Sequence, residues 1–281
     1  MTSSNGNRLF GYDVVERLGE GAGSVIYAVS ERSTGQLYAL KHVVRNGDKD
    51  LRYVRQLQNE FAVSRLFRHP GLRRYIQVKI RRSLLMRIKE AALVMEMVDG
   101  VPLDKQCPRD IPTLLRIFQE VAKALSGLHY LRYVHCDLKP NNILVSADGR
   151  VKLIDFGQAC KLATVKQRIQ GTADFIAPEQ VKLQPVMIQT DVYGFGASLY
   201  WALTGQKVPT LYTVGKSQRD VVKEMKFPSP RDLREDVPRP LSDFVMQCLK
   251  MLPLHRPENM EQVITVLRVL QAQAAGVGNR D

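Results

Sequence analysis

Residues 135–142 read His135-Cys136-Asp137-Leu138-Lys139-Pro140-Asn141-Asn142, and thirteen positions further on stands Asp155-Phe156-Gly157. These two stretches decide how the chain is read. The first offers a carboxylate, Asp137, suited to taking a hydroxyl proton, and a cation, Lys139, two residues later. It closes on an amide, Asn142, and the second stretch opens on a carboxylate, Asp155. Amide and carboxylate oxygens are the donors a hard cation such as Mg²⁺ takes, together with phosphate oxygens. His135 is apolar-flanked, which favours a structural hydrogen-bonding role over a catalytic one. Any one of these residues has a bland reading as a surface charge or a capping group. The whole set, in this order and at these spacings, does not. A base, a charge-offsetting lysine and two metal-ligating oxygens are the parts of phosphoryl transfer, where positioning and charge stabilisation supply most of the catalysis.

Upstream, Leu18-Gly19-Glu20-Gly21-Ala22-Gly23-Ser24-Val25-Ile26 places glycines between two strand-like runs. Such a loop lets the backbone approach a phosphate and turn its N–H groups toward it. Alone the signal is weak, because glycine-rich hairpin turns are common. Ser24 stands where the third glycine of G-x-G-x-x-G is expected, and it is small enough to keep the loop. Lys41 ends the run Tyr38-Ala39-Leu40-Lys41, among apolar neighbours that set its ammonium in or near a cleft. A lysine so placed needs a partner. Glu60, in the middle of a helical stretch, is the candidate; two unrelated surface charges are the alternative.

The chain has 281 residues, 44% hydrophobic and 25% charged, enough for one large domain or two small ones. No apolar run reaches roughly 18 residues, so no membrane span is expected, and residues 1–8 lack the apolar core of a secretory signal. Cys107, Cys136, Cys160 and Cys248 form no C-x-x-C pair and no zinc-like spacing. Free thiols in a reducing cytoplasm are expected. The net charge of +13 suits nucleic acid, an anionic membrane, or acidic and phosphorylated partners. Basic residues gather at Arg73, Arg74, Lys79, Arg81, Arg82, Arg87 and Lys89, for which a solvated face is the simplest reading. Tyr75 is nearly the only aromatic there, so base stacking is poorly provided and nucleic acid is not an expected partner.

The periodicity predicts strands over 9–18, 24–30 and 37–44, with a turn at Ser33-Thr34-Gly35. A helix is expected over 50–67, with Leu51, Val54, Leu57, Phe61 and Ser64 on one face and Pro70-Gly71 as its stop. Strands return at 76–80 and 91–98. After Gly100 the texture is helical. Asp110 caps a helix with Pro112 in its first turn, and Leu115, Phe118, Ala122, Leu125 and His129 recur along it. A hairpin is expected from 143–145 and 151–154 around Asp148-Gly149, and helices beyond 190. The prediction is an α+β chain: a sheet-rich half over about 8–96, a helix-rich half over about 101–272, and loose tails at 1–7 and 273–281.

On these motifs the chain resembles the protein kinases over about 8–270. The resemblance is carried by the loop 19–24, Lys41, Glu60, the loop 135–142, Asp155-Phe156-Gly157, Ala177-Pro178-Glu179, Asp191 before a glycine-containing helix start, and Arg256 in His255-Arg256-Pro257. It implies the bilobal protein-kinase fold: a small β-rich lobe with one main helix, a hinge at 96–100, and a larger helical lobe. It implies ATP and Mg²⁺ as cofactors and a protein as substrate. By resemblance the nucleotide is bound by Leu18, Gly19, Glu20, Gly21, Gly23, Ser24, Ile26, Ala39, Lys41, Met95 at the gatekeeper position, Glu96 and Met97 at the hinge, Asn142, Leu144 and Asp155. The implied catalytic residues are Asp137, Lys139, Lys41, Glu60 and Thr172, and the implied metal ligands Asn142 and Asp155. In the family the arginine matching Arg256 pairs with the glutamate matching Glu179. Lys139 and Gly171-Thr172 resemble serine/threonine kinases, and Asp-Phe-Gly-Gln-Ala-Cys resembles their bacterial members. A cytoplasmic protein is expected, with no assigned oligomeric state. A pseudokinase scaffold and a small-molecule kinase of the same fold are the alternatives.

Two departures from the family pattern bear on control. Ser64 lies where an apolar residue usually stacks toward the phenylalanine matching Phe156, which predicts a looser active arrangement. Cys136 stands where many relatives carry an arginine that grips a phosphate on the activation segment by a charge-assisted contact. Residues 158–176 hold only Thr164 and Thr172 as hydroxyl carriers. Activity without phosphorylation of that segment is therefore expected, and Cys136 with Cys160 suggests redox control as a second idea. Asn141 replaces an acidic residue that draws basic peptides in some relatives, which with the basic charge favours acidic or neutral substrates.

Overall fold

The computed structural model describes residues 8–21, 23–213 and 226–277, with side chains of the last helix described to Gln273. The chain forms two compact units, 1–68 with 73–99, and 69–72 with 100–281.

In the first unit, strand-length runs of β-branched and aromatic residues build one antiparallel sheet. Its strands are β1 (Arg8–Leu9), β2 (Tyr12–Gly21), β3 (Ser24–Ser30), β4 (Leu37–Val44), β5 (Tyr75–Arg82) and β6 (Ile88–Glu96), in the order β1-β2-β3-β4-β6-β5. Pairs such as Tyr27 with Leu40 and Leu40 with Val94 fix the register. That register puts Tyr12, Val29, Leu40, Ala92 and Val94 together in one buried cluster. Strand β6 ends at Glu96 and β5 begins at Tyr75, each about two residues or fewer from the predicted bounds.

Helix α1 (Leu51–Ser64) packs on β5 and β6. It ends before the predicted stop at Pro70, and its buried face differs from the predicted one: Val54, Leu57, Glu60, Val63 and Ser64 are buried, while Leu51 and Phe61 are half-buried. Val54, Leu57 and Ser64 are buried as predicted, while Glu60 and Val63 take the places expected of Leu51 and Phe61. Ser64 Oγ donates to the Phe61 carbonyl at 2.9 Å, so the hydroxyl is satisfied inside its own helix.

The basic cluster is less of a solvated face than predicted. Arg73 is buried with Nε donating to the Glu96 carbonyl at 3.3 Å. Lys79 donates to the Phe10 carbonyl at 2.9 Å and lies 4.5 Å over the Tyr12 ring. Arg74, Arg81, Arg82, Arg87 and Lys89 are exposed, Arg81 in an ion pair with Glu90.

In the second unit, β7 (Val101–Pro102) leads to α2 (Ile111–Tyr130), capped by Asp110, whose side chain accepts the Thr113 N–H at 2.8 Å. Leu115, Phe118, Ala122 and Leu125 are fully buried. After β8 (Tyr133–Val134) and the loop 135–142 come β9 (Ile143–Val145) and β10 (Val151–Leu153), an antiparallel hairpin turned at Gly149, φ +80°. Strand β11 (Cys160–Lys161) pairs with β8. Helices α3 (Pro178–Val181), α4 (Ile188–Thr204), α5 (Pro230–Leu233), α6 (Arg239–Cys248) and α7 (Met260–Val277) complete the unit. Helix α4 is buried almost all round, packing on α2 and α6.

Residues 69–72, expected in the sheet-rich half, group with the second unit: the Leu153 N–H donates to the Gly71 carbonyl at 2.8 Å. The predicted tail at 1–7 lies outside the described residues, as does 278–281, whereas 273–277 continue α7. Among the described residues no helix is long and apolar enough to cross a membrane.

Candidate active site

The loop 135–142 is hung from the first turn of α4. The buried carboxylate of Asp191 accepts the backbone N–H groups of His135 at 2.8 Å and Cys136 at 2.9 Å, and lies 2.7 Å from His129 Nε2. Burial pushes this carboxyl up, but the His129 bond and the backbone donors outweigh it and hold Asp191 below the usual range. The same bonds fasten Cys136 at φ +64°, a left-handed conformation costly for a residue with a side chain. His135 is fully buried, with Nε2 3.3 Å from the Ile154 carbonyl and its ring edge-on to Phe156. The ring is thus packed and hydrogen-bonded inside the unit.

The turn that follows brings three predicted residues together. Thr172 Oγ1 donates to Asp137 Oδ1 at 2.8 Å, and Lys139 Nζ donates to Thr172 Oγ1 at 2.7 Å and sits 3.4 Å from Asp137 Oδ2. Burial raises the Asp137 pKa above the ordinary carboxylate range; Lys139 and the Thr172 hydroxyl oppose that rise, and Asp155 adds to it. A carboxylate moved in this direction is better matched to taking a proton near neutral pH.

Asn142 Nδ2 donates to the Asp137 backbone carbonyl at 2.8 Å, which fixes the plane of the side-chain amide, and the Asn142 backbone carbonyl accepts the Ile154 N–H at 3.0 Å. Asp155 follows immediately at φ +66°, one carboxylate oxygen accepting the Gly157 N–H at 3.2 Å. An oriented amide and a carboxylate on adjoining backbone fit Mg²⁺, which takes few protein ligands and completes its shell with water and phosphate. Among the described residues no cluster of three or more His, Cys, Asp or Glu side chains is arranged for another kind of metal site. Leu144 is buried in β9 beside them.

In the first unit, Lys41 lies within β4 rather than at its end, opposite Ile26 and Leu93, and its ammonium bonds the buried carboxylate of Glu60. The predicted partner is thus the observed one. Gly19 and Glu20 pair with Ile26 and Val25, and Gly21 with Ser24, so the glycine loop is the end of a two-stranded ribbon. Leu18 and Glu20 are exposed, and Ala22 lies outside the described residues. Gly23 has φ +73°, which favours glycine, and a Cβ there would fall 2.3 Å from the Tyr53 ring, so that ring would have to move. Ala39 and Met95 are buried and paired across β4 and β6. The Glu96 carboxylate accepts the Arg74 N–H at 2.9 Å, and Met97 follows, half-buried.

Similarity to known proteins points the same way. The family described as protein kinase domain matches residues 12–266. The chain belongs to the protein kinase domain family. A serine/threonine-protein kinase of Arabidopsis thaliana, TIO, is 34% identical over 230 residues, which is 77% of this chain and 16% of that protein. A probable serine/threonine-protein kinase of Clostridium acetobutylicum is 26% identical over 91% of this chain and 39% of its own length. PknB of Lactococcus lactis, also named a probable serine/threonine-protein kinase, is 28% identical over 90% of this chain and 41% of its own. The chain thus spans less than half the length of these curated relatives.

The kinase domain carries its expected structural ion pair. Both Glu179 oxygens accept from Arg256, at 2.9 Å each, and the pair is buried. Thr190 Oγ1 donates to Glu179 Oε1 at 2.8 Å, and the guanidinium lies 4.9 Å over the Tyr193 ring. Sequence reading missed Gln180. Its Nε2 donates to the Cys136 carbonyl at 2.8 Å and the Gln170 carbonyl at 3.1 Å, tying the loop 135–142 to the segment before Thr172. Its place directly after Ala177-Pro178-Glu179 was the available signal. His129, predicted as part of an apolar stripe, is a polar support for Asp191. Asn141 is bonded through Nδ2 to Asp104 at 2.6 Å, so an acid stands beside the position where the pattern lost one.

Proposed function

We propose that this kinase domain transfers the γ-phosphoryl group of ATP to serine or threonine hydroxyls of proteins. The observation that carries the reading is the bonded trio Asp137, Thr172 and Lys139. The Asp137 carboxylate orients a substrate hydroxyl and takes its proton. Lys139, held by Thr172, offsets charge on the transferred group. Lys41, oriented by Glu60, contacts the α- and β-phosphates, and the ribbon at 19–24 turns backbone N–H groups to them. Glu96 and Met97 receive adenine. Mg²⁺ on Asn142 and Asp155 would neutralise charge on the phosphate oxygens. A cytoplasmic location completes the proposal.

Activation-segment phosphorylation is not required in this reading. Cys136 offers no cation to a phosphate, and the segment is held by other means. Thr164 Oγ1 donates to the Lys161 carbonyl at 2.6 Å, Lys166 Nζ to the Gln158 carbonyl at 2.6 Å, and the Val186 N–H to the Thr164 carbonyl at 3.0 Å.

The test is phosphorylation of a serine/threonine peptide library by the purified chain with Mg-ATP. Asp137→Asn and Lys41→Ala should remain folded and lose activity, the former by about 10²–10⁴-fold. Activity within tenfold of the parent in both variants sinks the proposal. Thr164→Ala and phosphatase treatment should leave activity in place; loss in both removes the claim about the activation segment.

A further inference from the structure

The hairpin joining β5 to β6 has no part in the chemistry above. It reads Arg81-Arg82-Ser83-Leu84-Leu85-Met86-Arg87-Ile88-Lys89. Leu84, Leu85 and Met86 are 103%, 80% and 69% exposed, close to the exposure of an extended chain. Single exposed apolar side chains are ordinary on a protein surface. Three in succession at the apex of a hairpin are a defect unless they serve something.

The apex is a built turn. The Met86 N–H donates to the Ser83 carbonyl at 2.9 Å and the Ser83 N–H to the Arg87 carbonyl at 2.7 Å. The Arg87 N–H donates to Ser83 Oγ at 3.2 Å, and Arg82 reaches the Met86 carbonyl at 3.1 Å. Met86 has φ +59°, in the left-handed region. Backbone strain of that kind is held by these bonds, with the apolar triplet presented to solvent. Around its base Arg81, Arg82, Arg87 and Lys89 are exposed. The acid among them, Glu90, is engaged by Arg81 and by His42.

We infer that this hairpin docks the domain on an anionic lipid surface. Leu84, Leu85 and Met86 enter the headgroup–acyl boundary, and Arg82, Arg87 and Lys89 meet acidic headgroups. An apolar apex above a cationic collar matches the two layers of a membrane interface, and the long basic stems bridge them. With three apolar side chains the attachment is reversible, and its electrostatic part weakens with salt.

The experiment is sedimentation of the full chain with vesicles of phosphatidylcholine alone and of phosphatidylcholine mixed with phosphatidylserine. Retention is expected on the mixed vesicles, falling with added salt. It should disappear in Leu84→Ser/Leu85→Ser/Met86→Ser. In Arg82→Ala, Arg87→Ala and Lys89→Ala it should weaken by about fivefold per basic residue removed. Leu85→Trp should shift its emission to shorter wavelength on adding mixed vesicles. Circular dichroism melting checks that each variant is folded. Absence of retention on mixed vesicles, equal retention on phosphatidylcholine alone, or undiminished retention of the triple serine variant would each overturn the inference. So would apex-dependent self-association in sedimentation velocity without vesicle binding, which would assign the apex to a second copy.

Discussion

The sulfur atoms of Cys136 and Cys160 lie 3.7 Å apart, one residue before the proposed base and at the start of the activation segment. The contact with Cys136, with Lys166 nearby, lowers the Cys160 thiol to about 7, while Cys136, its hydrogen-bonded partner, is pushed up and is fully buried. Cys248 and Cys107 are pushed up by burial. Iodoacetamide near neutral pH should therefore label Cys160 first and Cys248 last, as read by peptide mass spectrometry. Peroxide should then oxidise Cys160 to a sulfenic acid that Cys136 resolves with loss of water, giving a 136–160 disulfide readable by non-reducing peptide mass spectrometry. Equal labelling of all four thiols would refute this order.

Burial raises the Asp137 pKa, and Thr172 is one of the groups that oppose the rise. Its hydroxyl donates to the charged carboxylate, so it favours ionisation against the burial that opposes it. Removing that donor raises the Asp137 pKa further. In Thr172→Val the acidic limb of kcat/KM should move to higher pH, while Thr172→Ser keeps the parental limb. A limb that stays in place or moves to lower pH in the valine variant would contradict the assignment.

Asp191→Ala leaves two buried N–H donors unpaired, at about 1–3 kcal/mol each. The variant should melt well below the parent and lose turnover. The sign of the pH dependence follows from its depressed pKa in the folded state. Its stabilisation is present above the unfolded carboxylate pKa and is lost as pH falls through the folded value, so the stability gap between parent and variant should close in acid.

Arg256→Met strands the buried Glu179 carboxylate and should cost about 3–5 kcal/mol in denaturant melts. Glu179→Met/Arg256→Met should recover part of that loss, because no buried charge is then left alone. A double variant as unstable as the sum of the singles would show that the pair is not coupled.

Gly23→Ala meets both a positive φ and the Tyr53 ring. The KM for ATP should rise several-fold. Adding Tyr53→Ala should relieve the steric part and leave the backbone part, so recovery is partial.

Legibility in the sequence followed chemistry rather than position. Thr172 lies more than thirty positions from Asp137 and Lys139, yet each belongs to a short motif, and the three meet. The Lys41–Glu60 pair was readable because a lysine in an apolar run must find a counter-charge. Strand and helix bodies were readable from period, their ends only to a few residues. The buried face of α1 was readable at Val54, Leu57 and Ser64 but not at Val63, and Glu60 showed only through its lysine partner. Gln180 and His129 were missed for a related reason. Each acts by pointing one polar atom at a backbone group or carboxylate brought close only by the fold. The burial of Arg73 was equally hidden, because the carbonyl it serves is that of Glu96, 23 positions away at the end of β6.

The Asp191 anchorage makes helix α4 the datum from which the catalytic loop is measured. That helix has almost no slack: a Cβ on Gly196 would stand 2.5 Å from that of Cys248 on α6. Small errors of packing along α4, well away from any phosphate, would therefore surface as mispositioned Asp137. Variants there belong with those of the active site when losses of turnover are sorted, however remote they look on a distance map.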